Sequence, residues 1–300
     1  MYMKSLALAA AISTAAAQNT TSFCDKYTTA LFMNNTAENQ LMLLTAVVNT
    51  AVIGNYSESK TGKAVSGILA KGTYNGVEVD LLPSFNGALL SSNGGGSSGV
   101  VVNFLDDGGA VPLMMNKPAN GTSSRQYMLL THLYEYFGSL LQCSQQGNSA
   151  YPAYSGQGSM YAVHKFMNLD PNEVGYFITQ VADAAMSFGV SAEDLAPVGM
   201  ALNSLFGYRC APATTVIPAQ GVQLQSICQA EECPIAPNST CDGVADSVEP
   251  AMATGDNAMA TPTSSGTASS PTSTSVVVNG ASALGMSIFA VFGGLVALCL

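Results

Sequence analysis

One stretch is bounded more sharply than any other in this chain: "LDPNEVGYFITQVADAAMSFGV", from Leu169 to Val190. Asp170 stands where a helix N-cap belongs, Pro171 takes the first helical position, and Glu173 completes a capping box. Val174, Phe177, Ile178, Val181, Ala185 and Phe188 then recur on one face, and Gly189 supplies a C-terminal stop. A helix with such a stripe must be covered by other elements, and three further segments carry the same period. Leu41, Leu44, Val47, Val48 and Ala51 predict a helix over 37–53, with Gly54 as its stop. "SRQYMLLTHLYEYFGSLLQC" places Leu130, Leu133, Tyr134, Phe137 and Leu141 together, flanked by Leu129 and Tyr136, with His132 nearly opposite. "SAED" at 191–194 opens a last helix through Leu202, Leu205 and Phe206, with Pro197 as a possible delay or kink. Residues 54–124 break the period with Gly, Asn, Ser and Pro. They predict a long irregular insertion with short extended pieces such as "GVVVNFL".

The two ends differ from this core. "MYMKSLALAAAISTAAAQ" has one lysine, an apolar run and small residues, the pattern of a secretory signal peptide over 1–17. "ASALGMSIFAVFGGLVALCL" at 281–300 is apolar and follows small residues. It predicts a glycosylphosphatidylinositol-attachment signal, with a single-span anchor as the alternative. The Ser/Thr/Pro-rich segment 246–280 reads as a stalk. Asn-X-Ser/Thr sequons stand at Asn19, Asn34, Asn55, Asn120 and Asn238. Seven cysteines are present. Cys299 belongs to the tail, leaving six, an even number suited to disulfides in an oxidising compartment. Four of them crowd into 210–241 and predict a stapled C-terminal extension over 210–245, with the pairing left open.

Several chemistries are disfavoured. The net charge is −10 without a basic cluster, which excludes nucleic acid as a partner. There is no CxxC pair and no histidine near the cysteines, so a zinc site is not expected. "GGGSSG" at 94–99 fits a dinucleotide fingerprint in letters only, because no helix follows it. No GxSxG accompanies the two histidines. Asp106 and Asp107 keep a wall-glycan hydrolase open as a minor alternative.

The second histidine is set differently. His164 lies in "YSGQGSMYAVHKFMNLDPNE", among Met160, Phe166, Met167 and Leu169. A neutral imidazole in an apolar, polarisable pocket suits an iron ligand. A Tyr-x-Gly turn at Tyr154, Met160, His164 four residues on, and a long helix closing on Gly189-Val190 resemble the C-terminal half of a truncated, two-over-two globin. "THLYEYFGSLLQC" is similar to that family's distal helix. The resemblance implies a globin-like helical domain over 18–209, haem as cofactor and His164 as its proximal ligand. It places Leu129 and Leu133 facing the iron, Met160 and Phe166 in the pocket, and His132 as a sixth ligand or a propionate contact. An exposed His132 is the plain alternative.

The expectation is therefore a mainly α, globin-like domain with a loop insertion and a disulfide-stapled extension, secreted and lipid-anchored at the cell surface. Its expected role is extracellular haem binding, for sensing, haem capture or diatomic gas binding. The alternative is a non-enzymatic wall or adhesion protein that has lost the cofactor, with cell-wall glycans as candidate partners.

Overall fold

The structure, a computed structural model, describes residues 21–254. Seven α-helices and one two-stranded hairpin make up its regular elements. In chain order they are α1 (Phe23–Phe32), α2 (Ala37–Ile53), β1 (Gly72–Tyr74), β2 (Val77–Val79), α3 (Ala110–Met114), α4 (Arg125–Leu140), α5 (Met160–His164), α6 (Pro171–Ser187) and α7 (Ala192–Phe206). The described chain is thus mainly helical. None of the described helices is long and apolar enough to cross a membrane. The segments expected to be a signal peptide, 1–17, and an attachment signal, 281–300, and most of the expected stalk, 246–280, lie outside the described residues.

Local chemistry sets the helix ends. Asp170 Oδ1 accepts from the backbone N–H groups of Asn172 and Glu173 at 2.7 and 2.8 Å, and Glu173 Oε2 accepts from the N–H of Asp170 at 2.9 Å. This reciprocal box satisfies donors that helix geometry would leave orphaned. Thr36, Ser124, Ser159 and Ser191 cap α2, α4, α5 and α7 through their hydroxyls. Gly54, at φ 83°, stops α2. The α7 helix runs on through Pro197 without a break in its span.

The α2 helix is the centre of the packing, lying against both α4 and α6, and α7 covers α6. The hairpin packs on α6 through two paired contacts. Tyr74 lies over Gly175, and Tyr176 over Gly72: a Cβ on either glycine would come within 2.4 Å of the facing ring. The Tyr176 hydroxyl also donates to the carbonyls of Gly67 and Ala70, at 3.1 and 3.2 Å.

Residues 54–124 are more ordered than their composition predicts. "TYNGVEV" folds as β1–β2 around Asn75-Gly76, both at positive φ (50° and 80°), as a tight hairpin turn requires. "GVVVNFL" forms only isolated bridges, Ser92–Val100 and Asn86–Asn103. Buried Gln126 fastens the rest: Oε1 accepts from the N–H groups of Asp107 and Gly109, and Nε2 donates to the carbonyls of Gly109 and Pro118.

The disulfides are Cys24–Cys143, Cys210–Cys241 and Cys228–Cys233. The extension is stapled as expected, but it is part of the core. Ile227, Cys228, Ala230 and Cys233 are buried in the main cluster, and the N–H groups of Gln229 and Ala230 bond to the Leu169 carbonyl. Ala253, within the segment expected to be a stalk, is also tied down, since its N–H donates to the Ala88 carbonyl.

Candidate functional site

The helices enclose an apolar cavity of about 170 Å³. Its wall draws on every long helix: Phe23 and Tyr27 from α1, Leu44 and Val48 from α2, Leu129, Leu133 and Phe137 from α4, Phe177, Val181 and Ala185 from α6, and Val198, Gly199 and Leu202 from α7. Interiors normally close such space. At roughly 24 cal/mol per Å³, leaving this volume empty costs about 4 kcal/mol, a large share of a typical net stability. An apolar cavity near this size, about 150 Å³, stays dry and takes up small apolar ligands.

His164 is on that wall. It ends α5, a single capped turn, and its Nδ1 lies 2.8 Å from the Met160 carbonyl four residues earlier. A carbonyl only accepts, so Nδ1 carries the proton. Burial lowers the pKa of His164, and the bond to Met160 opposes this less strongly, so the ring is neutral at pH 7. In that tautomer Nε2 keeps a free lone pair, and no described residue bonds to it. The side chain is half-buried yet desolvated, as expected where its accessible surface opens into an interior cavity.

Every other polar group named on the wall is already committed. The Tyr27 hydroxyl donates to Asp194 Oδ2 at 2.5 Å and accepts from the N–H of Ser191. The Tyr136 hydroxyl donates to Gln225 Oε1 at 3.0 Å. Glu173, the one charged residue on the wall, has its carboxylate in the α6 capping box, and burial raises its pKa. No Lys or Arg lines the cavity.

Of the six residues singled out from sequence, His164, Met160, Leu129 and Leu133 meet on this wall, and His132 and Phe166 do not. Phe166 instead packs by Gly99 and under the Lys165 ammonium, 4.6 Å from its ring centre; Met167 takes its place on the wall. His132 faces the 154–157 loop, edge-on to the Tyr154 ring at 5.5 Å between centres, and burial lowers its pKa. It therefore does not face His164 across the cavity. Beside it in sequence, Glu135 is pushed up to about 7 by burial, against a weaker bond from the Ser155 backbone, and its Oε2 has no partner.

The other candidates have backbone roles. Asp106 accepts from the N–H groups of Arg125 and Gln126 at the start of α4, and Asp107 Oδ2 accepts from Gly121 N–H at 2.6 Å. The glycines at 94–99 lead into the Ser92–Val100 bridge, not a helix. Among the described residues no three His, Cys, Asp or Glu side chains gather as a metal cluster.

Sequence reasoning missed that α1, α6 and α7 line a cavity; their apolar stripes carry the same period whether they meet side chains or a void. No protein-family model, curated protein or solved structure matches the chain.

Proposed function

We propose that the cavity binds haem, with His164 Nε2 as the residue that would hold its iron, in a secreted surface protein of globin-like helical plan. One observation carries the reading: a neutral imidazole on an otherwise apolar cavity wall, its Nδ1 proton held by a backbone carbonyl and its Nε2 free. That second hydrogen bond is the usual means of fixing the tautomer of a metal-binding histidine. Met160 contributes both its carbonyl and its side chain, while Leu129, Leu133 and Phe137 exclude water. When bound, the iron would supply reversible ligation or one-electron chemistry. The wall's apolar chemistry suits a macrocycle, but about 170 Å³ holds only part of one, so haem would have to widen the cavity, and the wall offers no cation to its carboxylates. Three disulfides are compatible with an extracellular setting, and the signal and anchor patterns support a place at the cell surface.

The test is a haemin titration of the purified chain. A Soret band saturating at one equivalent, and absent in His164→Ala, supports the reading. A chain that stays colourless refutes it and leaves the wall or adhesion alternative.

The absence of Lys and Arg from the wall, with a volume near that of a benzene-sized site, favours a second reading, a small neutral apolar ligand with one hydroxyl, such as a phenol, donating to His164 Nε2. A chain that takes up phenol but not haemin would select it.

A further inference from the structure

We propose that Asn34, Asn55 and Asn238 carry N-linked glycans and that Asn120, in an equally complete sequon, does not. The inference rests on the proposed passage of the chain through the secretory pathway and is independent of any ligand in the cavity. The modification joins Nδ2 of the asparagine to C1 of an oligosaccharide delivered on a polyprenyl pyrophosphate. The C1–O bond to the pyrophosphate breaks, the N–C1 bond forms, Nδ2 loses one proton, and the lipid pyrophosphate leaves. The folded product must then hold a sugar ring against Nδ2. That nitrogen has to be at the surface with open space beside it.

Three sites meet this condition. Asn34 is exposed in the turn between α1 and α2; only its backbone carbonyl is engaged, by Asn39 Nδ2, and its own side chain has no partner. Asn55 is exposed just after α2. Its Oδ1 accepts from the N–H of Val65 at 2.6 Å, which fixes the amide and leaves Nδ2 without a partner. Asn238 is exposed in a turn at φ 61°, a conformation asparagine tolerates, and its side chain makes no hydrogen bond. Each amide could keep its present geometry with a sugar attached.

Asn120 is exposed by residue yet crowded at the reacting atom. Its Nδ2 donates to the Asp107 carbonyl at 3.2 Å, and a Cβ built on Gly108 would stand 2.4 Å from that nitrogen. The 107–108 backbone crowds that nitrogen on one side, which none of the other three sites shows. That backbone is itself clamped, because the N–H of Asn120 donates to the Asp107 carbonyl and Asp107 Oδ2 accepts from Gly121 N–H. A sugar on Nδ2 would have to clear the 107–108 backbone, which Gln126 holds in place. Asn19 lies outside the described residues and is not assigned.

The experiment is expression of the full chain in a eukaryotic secretory host. Deglycosylation with peptide-N-glycosidase in ¹⁸O-water converts each occupied Asn to a mass-labelled Asp, read by peptide mapping. The expected map shows label at Asn34, Asn55 and Asn238 and none at Asn120. Each of Asn34→Gln, Asn55→Gln and Asn238→Gln should remove one glycan mass, and Asn120→Gln none. Occupancy at Asn120, or an unlabelled site among the other three, in disulfide-bonded exported protein overturns the inference. A chain that is neither exported nor disulfide-bonded overturns the secretion reading as well, and the disulfide assay separates the two failures.

Discussion

If the space beneath His164 is a real void, filling it should stabilise the empty protein and abolish uptake together. Ala185→Leu is the sharpest perturbation. Ala185 is 7% exposed, sits on α6 and lines the cavity, so an added side chain must enter it. Three extra carbons at about 0.8 kcal/mol each give a gain of about 2.4 kcal/mol. Leucine gives back roughly 0.5–1 kcal/mol in rotamer freedom and a few tenths in helix propensity. The net is about 1–1.5 kcal/mol, which for a domain of this size raises Tm by roughly 2–6 °C. Thermal unfolding of the ligand-free protein, followed by far-UV circular dichroism, reads the first effect; a haemin titration reads the second. Overpacking of a filled core would have the opposite sign, costing about 1–3 kcal/mol. A variant that melts lower than its parent therefore refutes the void, and one that melts higher yet still takes up haemin places the ligand elsewhere.

Other outcomes follow from named contacts. His132→Ala should leave the spectrum of the haemin complex unchanged, because His132 faces Tyr154 rather than the cavity; a low-spin complex that turns high-spin in this variant would contradict that. Glu135 has a folded pKa of about 7, above its unfolded value, so the folded state binds the extra proton. Its contribution is complete below about pH 4.3 and is lost as pH rises through 7. Glu135→Gln should therefore be more stable than its parent above pH 7, with the difference shrinking toward pH 4.5 in urea titrations; an equal difference at both pH values argues against a buried carboxylate. Removing the Cys24–Cys143 bridge, which closes a separation of 119 residues, should cost on the order of 4–5 kcal/mol in denaturant unfolding. Gly175→Ala should destabilise despite alanine's roughly 1 kcal/mol better helix propensity, because the new methyl meets the Tyr74 ring.

How much of this was legible in the residues depends on the range of the interaction involved. The α2 and α6 boundaries are local: Thr36, Gly54, Asp170 and Glu173 act within a turn of where they stand, and the helices begin and end as their chemistry dictates. The hairpin was legible too, in Asn75-Gly76 between "TY" and "VEV", but the surrounding glycines and serines masked a signal only seven residues long. The order in 107–118 was not legible. It depends on one glutamine, Gln126, whose four hydrogen bonds reach across 8 to 19 residues of sequence. The site divides in the same way. Met160 and His164 meet because four residues make about one helical turn, but the tautomer rests on the Nδ1 contact to the Met160 carbonyl, which spacing does not give. The cavity could not be anticipated either, because Phe177, Val181 and Ala185 would show the same period against a neighbouring side chain or an empty volume. His132 and Phe166 fail for different reasons. His132 neighbours Leu133 on α4, but one residue turns a helical side chain by about 100°, and its ring meets Tyr154 instead. Phe166 lies in the turn after α5, where no helical period applies, and packs by Gly99. Leu129 with Leu133, and Met160 with His164, stand four apart and share the wall, but so do adjacent pairs such as Leu43–Leu44 and Phe177–Ile178, so spacing alone does not sort wall residues from the rest.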